Sequence, residues 1–542
     1  MGTIISVSQA YLLRSVSISI EAEFGFGNYL SLFFWVGIFV IIIGTFLTYK
    51  WGHTHLFLAA LIMLASVIWG LPAFSCELSY HQDTFWHLSN VRWVERNTLD
   101  FNLFQPYTRF AYLEYPSFFL GQAILELLAV PNAILLSDSF MIGVTALFVL
   151  NFYLLARFLT QSTARAGMAT LFAVVANVDM FSNHFSPSAI AQALFPLMIY
   201  LALRTGVGSK QVRYFVVVLV LTFFYVTLHS VMSLVLLVVI GSLIVVFHFG
   251  SRFVKDQVPP PRIETLLFMM LIYFSWSAFI SGWGFTELGQ SLERLFISIS
   301  EPWAQTTLST TILRRQTLLF PLVGWAKRGI FIVFIVPALV VFLKRILRRE
   351  ICKIDITFAT LLFFSFLSSL VTQLSDRILV WTIPFAVLVL FDTDFVNTSW
   401  RRVVRVSKNH LPEVAVMLAV FSLATLSLLT YYSGVAAYIT TPAENEGYHH
   451  LAVSLTETDR IFNGYSNSLF LYGHLEKDYT IVQSMQFANV LFFPQSLYSR
   501  DYREEGKSFN LYSMEFNQSL HDQSLNLIYS NGDFTIFRRD NR

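Results

Sequence analysis

The chain has 542 residues, of which 55% are hydrophobic, 16% are aromatic and only 13% are charged. Soluble domains carry about 25% charged residues, and nucleic-acid binders carry a basic excess. This composition and a formal charge of +2 exclude an ordinary cytosolic enzyme, a disordered chain and a nucleic-acid binder. Apolar runs of about 20 residues recur, each long enough to cross a hydrocarbon core as a helix. The sequence therefore predicts a polytopic α-helical membrane protein.

The apolar runs predict about twelve transmembrane helices after an N-terminal segment, residues 1–28, which lacks the basic start of a signal peptide. The predicted spans are 29–49, 55–74, 138–158, 166–182, 187–204, 212–227, 230–249, 263–282, 329–343, 355–372, 378–391 and 413–433. With outer loops 75–137 and 283–328 they make up a transmembrane domain, residues 29–433. The stretch 116–136 is also apolar, but counting it as a span would invert every later loop. A re-entrant or interfacial element is predicted there instead.

Lysine and arginine concentrate in alternate loops, which predicts that these loops face the cytoplasm. The basic residues are Lys50, those within 157–165, 204–213, 252–262 and 344–353, and those within 401–408. The remaining loops and the tail are then predicted to lie outside. The two cysteines, Cys76 and Cys352, fall on opposite sides and are not expected to pair.

The tail, residues 434–542, has a mixed composition with strand-like runs at 468–472, 479–482 and 509–512. Two further runs, 525–529 and 534–537, flank Asn531-Gly532. Asn-Gly between alternating apolar runs is a strong hairpin signal. The tail is therefore predicted to form a small extracytoplasmic α/β domain.

The first outer loop carries the motif His81-Gln82-Asp83-Thr84-Phe85-Trp86-His87. Asp83 and His87 are four residues apart and would share a helix face. A carboxylate at this place is suited to act as a general base toward an alcohol, or to share a divalent cation with His81 or His87. The alternative is that Asp83 only caps the following helix.

Three more outer positions carry candidate residues. Glu114 lies before the Tyr115-Pro116 re-entry and either positions an acceptor hydroxyl or only favours the helix dipole. His184 and His229 lie in outer turns, where they either donate to a phosphate or are simply solvated. Both alternatives stay open at each position.

Arg377, in the outer turn Ser375-Asp376-Arg377, opens a late span. A guanidinium offers a planar fork for bidentate phosphate binding and stays protonated. A cation on the outer side departs from the positive-inside bias, which favours phosphate binding over a local pair with Asp376.

These motifs resemble those of the GT-C superfamily, multi-pass glycosyltransferases that use polyprenyl-phosphate-linked sugars at the outer membrane face. The matching segments are HQDTFWH at 81–87, Tyr115-Pro116, SPSAIAQALFPL at 186–197, the Thr-Leu-His turn at 227–229 and SDR at 375–377. The closing Tyr-x-Asn-Gly-x hairpin resembles prokaryotic, especially archaeal, members. The paired acidic motif of better-known members is missing, because Asp83 is the acidic residue between His81 and His87.

The resemblance implies a GT-C-like fold and transfer of a sugar, with inversion, from a polyprenyl-phosphate donor to an acceptor hydroxyl or amide. The acceptor would be a glycan, a lipid or a protein. It implies that Asp83 is the base and that Arg377, helped by His184 or His229, stabilises the leaving phosphate. Glu114 stays the candidate for positioning the acceptor hydroxyl. A divalent metal ion held by His81, Asp83 and His87 is a further option.

Two other function classes remain open at this stage. A lipid-linked saccharide transporter or flippase would place ionisable groups near the bilayer midplane and carry repeated halves, and the sequence shows neither pattern. A noncatalytic assembly subunit would present the tail to a partner. Transfer activity separates the first alternative from an enzyme, and deletion of residues 442–542 tests the second.

Overall fold

The computed structural model describes a helical bundle and the strands of a separate sheet. The described residues are 1–16, 24–76, 84, 87–88, 90–91, 94, 116–128, 133–176, 185–207, 211–249, 260–279, 289, 321–369, 375–392, 411–432, 446–447, 450–451, 453, 460–462, 480–482, 490–494, 525–530 and 534–539. Positions 84, 87–88, 90–91 and 94 are helical.

The helices within these residues follow the predicted spans closely. They are α1 Gly2–Tyr11, α2 Leu32–Lys50, α3 Thr54–Trp69, α4 Leu71–Ser75, α5 Ser117–Leu128, α6 Ala133–Thr160, α7 Thr163–Ala176, α8 Pro187–Arg204, α9 Gln211–Val226, α10 Ser230–Phe249, α11 Ile263–Phe279, α12 Pro321–Arg348, α13 Lys353–Ser369, α14 Ser375–Phe391 and α15 Leu411–Tyr431. Every predicted span overlaps one of these helices. The stretch predicted as re-entrant contains the short helix α5 and the start of α6.

Six of the described helices are long and apolar enough to cross a membrane. They contain the segments Leu32–Lys50, Ser139–Thr160, Pro187–Arg204, Ser230–His248, Arg328–Arg348 and Glu413–Thr430. The length and composition of these helices therefore indicate a membrane-embedded protein. The count of about twelve crossings stays a prediction.

Two helices extend beyond the predicted spans. Helix α12 begins at Pro321 and helix α6 at Ala133. The apolar segments within them, Arg328–Arg348 and Ser139–Thr160, agree with the predicted span starts at 329 and 138. The predicted outer loop 283–328 therefore contains the first turns of α12.

Aromatic side chains interlock the interior of the bundle. The Phe148 ring of α6 lies 5.0 Å from Trp69 of α3 and 5.6 Å from Trp381 of α14. The Trp381 ring in turn lies 4.9 Å from Phe195 of α8. Because lipid is as apolar as these side chains, close packing rather than the hydrophobic effect holds such helices together.

The N-terminal segment packs onto the bundle through small residues of α1 and α2. A Cβ added at Gly37 would lie 2.8 Å from the carbonyl oxygen of Gly2. The nearby Ser6 hydroxyl donates to the carbonyl oxygen of Phe34 at 3.1 Å. Arg14 follows α1 and donates to the carbonyl oxygen of Phe74 at 3.1 Å, which ties this segment to α4.

The basic loops meet at one end of the bundle. Arg345 of α12 donates to Asp355 of α13 at 2.8 Å and to Asp392, just after α14, at 2.9 Å. Arg165 of α7 donates to the carbonyl oxygen of Asp392 at 3.3 Å. The end of α12, the start of α13, the end of α14 and the start of α7 therefore lie together.

Other pairs extend this end across the bundle. Lys50 of α2 lies 2.9 Å from Glu413 of α15, and Arg204 of α8 donates to the Tyr214 hydroxyl of α9 at 2.9 Å. The Arg204 guanidinium also lies 5.7 Å from the ring of Phe158, near the end of α6. We call this the basic end, defined by Lys50, Arg165, Arg204 and Arg345. The contacts agree with the predicted grouping of these loops on one side.

The opposite end is held by the ends of α3, α7 and α15. The Tyr432 hydroxyl, after α15, donates to the carbonyl oxygens of Ile68 and Trp69 at 2.9 Å each. Ser427 of α15 donates to the carbonyl oxygen of Val175 in α7. Helices that begin at the basic end, such as α9, end at this opposite end.

The tail contains a five-stranded sheet with strand order β2-β1-β3-β5-β4. The strands are β1 Arg460–Phe462, β2 Thr480–Val482, β3 Val490–Pro494, β4 Leu525–Ser530 and β5 Phe534–Arg539. Strands β2 and β3 flank β1 in parallel, and β3 and β4 flank β5 in antiparallel pairs. The predicted β4–β5 hairpin around Asn531-Gly532 is confirmed, whereas β1 and β3 were missed. The predicted runs 468–472 and 509–512 lie outside the described residues.

Candidate functional site

The start of α5 joins the re-entry segment to the turn that carries His229. The Ser117 hydroxyl lies 2.5 Å from that of Thr227, and the Ser117 backbone N–H donates to the carbonyl oxygen of Thr227 at 3.2 Å. Because Thr227 follows α9, these bonds place the start of α5 at the end of the bundle opposite the basic end.

Two phenylalanines of α5 join the re-entry segment to the first outer loop. The buried His87 ring lies 5.8 Å from the ring of Phe118 and 5.9 Å from that of Phe119. Thr84, three residues before His87 and directly after Asp83, is also buried. The end of the HQDTFWH motif, at His87, therefore packs on α5.

Phe118 also contacts the segment that follows His184. Its ring lies 4.9 Å from that of Phe185. Two residues on, Pro187 occupies the first turn of α8, and the Ser186 hydroxyl accepts the backbone N–H of Ala189 at 3.4 Å. Serine as the cap and proline at the start explain why the chain turns into a helix at this point.

The end of α9 is fixed against the start of α8. The Tyr225 hydroxyl donates to the carbonyl oxygen of Ala191 at 2.9 Å. After Tyr225 the chain turns through Thr227 to His229, whose backbone N–H donates to the carbonyl oxygen of Tyr225 at 3.1 Å. Together with Phe118, these contacts bring the 184–187 and 227–229 motifs to one place.

Arg377 belongs to the first turn of α14, and its side chain lies outside the described residues. Trp381, which contacts Phe195, lies six residues after Ser375, about 9 Å along the axis at ~1.5 Å per residue. Phe195 lies eight residues after Pro187, about 12 Å along α8. The α14 backbone at Arg377 and the start of α8 therefore lie at the same end of the bundle.

His229 is half-buried and lies in the turn between α9 and α10. Its Nδ1 accepts the backbone N–H of Met232 at 3.4 Å, while its carbonyl oxygen accepts the Ser233 hydroxyl at 2.8 Å. The bond to Nδ1 orients the ring.

Four other candidate residues lie outside the described residues: His81, Asp83, Glu114 and His184. Within the described part of the chain no group of three or more metal-ligating side chains occurs.

Sequence reasoning missed Ser117, which bonds the Thr227 turn. Its hydroxyl lies in the stretch 116–136, which the sequence analysis treated for its apolar character. A polar residue at the start of that apolar stretch was the available signal.

No protein-family profile matches the chain, and no curated protein matches it. Among solved structures, the chain is similar to the crystal structure of the Archaeoglobus fulgidus oligosaccharyltransferase tethered through a disulfide bond to an acceptor peptide containing the NVT sequon. The identity is 11% and the TM-score 0.46, over 89% of this chain and 74% of that chain.

Proposed function

We propose that this chain is a membrane glycosyltransferase. It transfers a sugar from a polyprenyl-phosphate-linked donor to an acceptor hydroxyl or amide, at the membrane face opposite the basic end. The observation that carries the proposal is the meeting of separate motif segments on α5. Phe118 contacts both His87 and Phe185, and Ser117 bonds Thr227.

The first step of the proposed reaction needs a base and an acceptor. Asp83 removes the proton from the acceptor hydroxyl, with Glu114 holding the acceptor in position. The acceptor oxygen attacks the anomeric carbon as the bond from that carbon to the phosphate oxygen breaks. Displacement from the opposite face inverts the anomeric configuration, and the polyprenyl phosphate leaves with the electron pair.

Negative charge grows on the phosphate as the glycosidic bond breaks, so donors aimed at it lower the barrier. Arg377 supplies the charged fork, and His184 and His229 supply further donors. His229 suits this role because it is half-buried in the outer turn and its ring is oriented by the bond from the Met232 N–H to Nδ1.

Lipid exposure of α9 supports a lipid-anchored donor. Val216, Val220 and Phe223 of this helix are 52%, 65% and 54% exposed. The same helix ends at the Thr227–His229 turn. A polyprenyl chain lying along this surface would bring its phosphate to the level of that turn.

A divalent cation would be held by His81, Asp83 and His87. His87 is only 4% exposed and its ring packs against Phe118 and Phe119, which is a poor setting for a ligand of a cation that enters from outside. We therefore derive no step through a metal ion.

The test is transfer by the purified protein in lipid nanodiscs, with a radiolabelled polyprenyl-phosphate hexose as donor and an envelope extract as acceptor. Asp83→Asn is expected to lower the transfer rate at least about 100-fold, the usual contribution of a general base. Glu264→Gln, an exposed carboxylate at the start of α11, is the matched control and should retain full activity. Full activity in Asp83→Asn would remove the proposed base, and donor binding without any transfer would favour a transporter.

A further inference from the structure

The first turn of α5 holds the Thr227–His229 turn by two hydrogen bonds from a single residue. The Ser117 hydroxyl lies 2.5 Å from the Thr227 hydroxyl, and the Ser117 backbone N–H donates to the Thr227 carbonyl oxygen at 3.2 Å. Thr227 is only 1% exposed and lies two residues before His229. Buried hydrogen bonds whose groups are all paired make the local structure rigid. The position of the turn is therefore tied to that of α5.

The direction of the hydroxyl bond follows from the surroundings of Thr227. Its Oγ1 lies 2.9 Å from the carbonyl oxygen of Phe223 and 3.0 Å from that of Phe224. A carbonyl oxygen only accepts, so the single hydroxyl hydrogen of Thr227 points to α9. The Ser117 hydroxyl is therefore the donor, and Thr227 is its acceptor. Valine at position 227 would remove this acceptor with little change in the volume of the side chain.

The next residue of α5 contacts two other motif segments. The ring of Phe118 lies 5.8 Å from that of His87 and 4.9 Å from that of Phe185. Ser117 and Phe118 are consecutive. One short piece of α5 thus contacts the first outer loop, the segment before α8 and the Thr227–His229 turn. The spacing of these segments depends on how firmly each is held to that piece.

We propose that Ser117 and Thr227 are positioning residues, which hold His229 where it meets the phosphate of the donor. This inference rests on the proposed function and deepens it, because it names the contact that sets the place of His229 relative to α5. Neither residue transfers a proton or touches the phosphate. A misplacement of about 1 Å lowers a rate about 100-fold in other enzymes, so one buried bond is enough to have a large effect.

The first experiment is a double-mutant cycle on binding of polyprenyl phosphate without a sugar to the full chain in nanodiscs. Thr227→Val should weaken binding about threefold to tenfold, the contribution of one hydrogen bond. His229→Ser removes the ring and keeps an acceptor for the Met232 N–H at the start of α10. It should weaken binding at least as much. Because Thr227 acts through His229, the double variant should bind no more weakly than His229→Ser alone.

The transfer reaction, with polyprenyl-phosphate glucose as donor, provides a second readout. Thr227→Val is expected to lower kcat at least about tenfold, and Ser117→Ala should have a similar effect because it removes the donor of the same bond. Thr227→Ser keeps the hydroxyl, so its kcat should stay within about twofold of that of the unmodified protein.

Thr265→Val is the matched control, because a similar hydroxyl pair lies at the basic end. The Thr265 hydroxyl donates to Thr205 Oγ1 at 3.1 Å, and the Thr205 hydroxyl donates to the carbonyl oxygen of Ala202 at 2.6 Å. Both threonines are fully buried. Thr265→Val should lower the midpoint of thermal unfolding about as much as Thr227→Val, without changing lipid binding or kcat.

Four outcomes would overturn the positioning role. Unchanged lipid binding in Thr227→Val would show that the bond does not affect the phosphate site. Unchanged lipid binding in His229→Ser would remove the group through which Thr227 acts. Independent losses that multiply in the double variant would show that Thr227 does not act through His229. Equal losses in Thr265→Val would indicate a general effect of stability.

The cycle also separates this inference from the proposed enzyme. If the cycle behaves as expected in a protein that transfers no sugar, the positioning role is supported and the proposed enzyme is not. If the protein transfers sugar and the losses multiply, the enzyme is supported and the positioning role is overturned.

Discussion

Arg377 begins α14 on the side of the bundle where three other motif segments meet on α5. A guanidinium fork binds two phosphate oxygens at once, and a lysine at the same position would offer a single point charge. The proposed phosphate contact at Arg377 would therefore depend on the shape of the side chain as well as on its charge.

We expect Arg377→Ala to lower transfer about 100-fold to 1,000-fold, as loss of one donor to a developing negative charge does elsewhere. Arg377→Lys should recover part of that loss. Separate kcat and KM values, measured with polyprenyl-phosphate glucose, check the prediction, because a donor that acts in the transition state lowers kcat.

Arg348→Ala is the matched control for Arg377. Arg348 is an exposed arginine in the last turn of α12, at the basic end, and its loss should not change either constant. If Arg377→Ala raised KM alone, Arg377 would bind the donor without assisting the reaction.

The sequence predicted candidate site residues only where a polar or charged residue interrupts an apolar stretch. Arg377 and His229 are conspicuous because they interrupt apolar sequence at a predicted span end. Ser117 is not conspicuous, because its significance comes from its bonds to Thr227, which lies far away in sequence. Contacts over such separations are set by helix packing, which a residue pattern does not encode.

At the level of helices, Arg345 is the main cross-link of the basic end. It bonds Asp355 and Asp392, and its side chain is only 15% exposed, while that of Asp355 is fully buried. The Asp355 carboxylate also accepts the backbone N–H of Cys352 at 2.9 Å, ahead of α13. A single cluster thus fixes α12, α13 and α14 against one another.

Asp355→Ala is expected to destabilise the protein by about 3–5 kcal/mol, because it leaves a buried guanidinium short of a partner. Glu413→Ala is the matched control, since Glu413 and Lys50 have side chains 39% and 54% exposed. An exposed pair contributes about 0–1 kcal/mol. Thermal unfolding of both variants in the same detergent checks the contrast, and similar losses would contradict it.

The sequence predicted the positions of the helices well, but it predicted the positions of the strands less well. The span 187–204 coincides with α8, because serine, proline and the apolar run mark both of its ends. Strand β1 has only three residues and lies between two parallel neighbours. A run that short shows no recognisable alternation, and its pairing is decided by the rest of the sheet.

For the whole molecule, the grouping of basic loops predicts the orientation in the membrane. Arg348 is exposed at the basic end, and Val453 in the tail is 74% exposed. We expect a membrane-impermeant maleimide to label Val453→Cys in intact cells, and Arg348→Cys only after permeabilisation. Labelling of Arg348→Cys in intact cells would reverse the orientation.

The native cysteines should contribute little background to that experiment. Cys76 is buried. Burial raises the pKa of the Cys352 thiol well above its ordinary value, and the thiol is the unreactive form. Unmodified protein, with and without permeabilisation, gives the reference signal.

Helix α9 has 16 residues in the described part of the chain, a rise of about 24 Å, whereas a hydrocarbon core is about 30 Å thick. It exposes apolar side chains along its length, including Val220. Since the sequence predicts that α9 crosses the membrane, we expect the mismatch in length to act on the adjoining lipid. Local thinning of the bilayer is the usual response. Such a dimple would draw the headgroup plane down toward His229, so that acyl-chain length becomes a control on how readily a lipid-borne substrate reaches the turn.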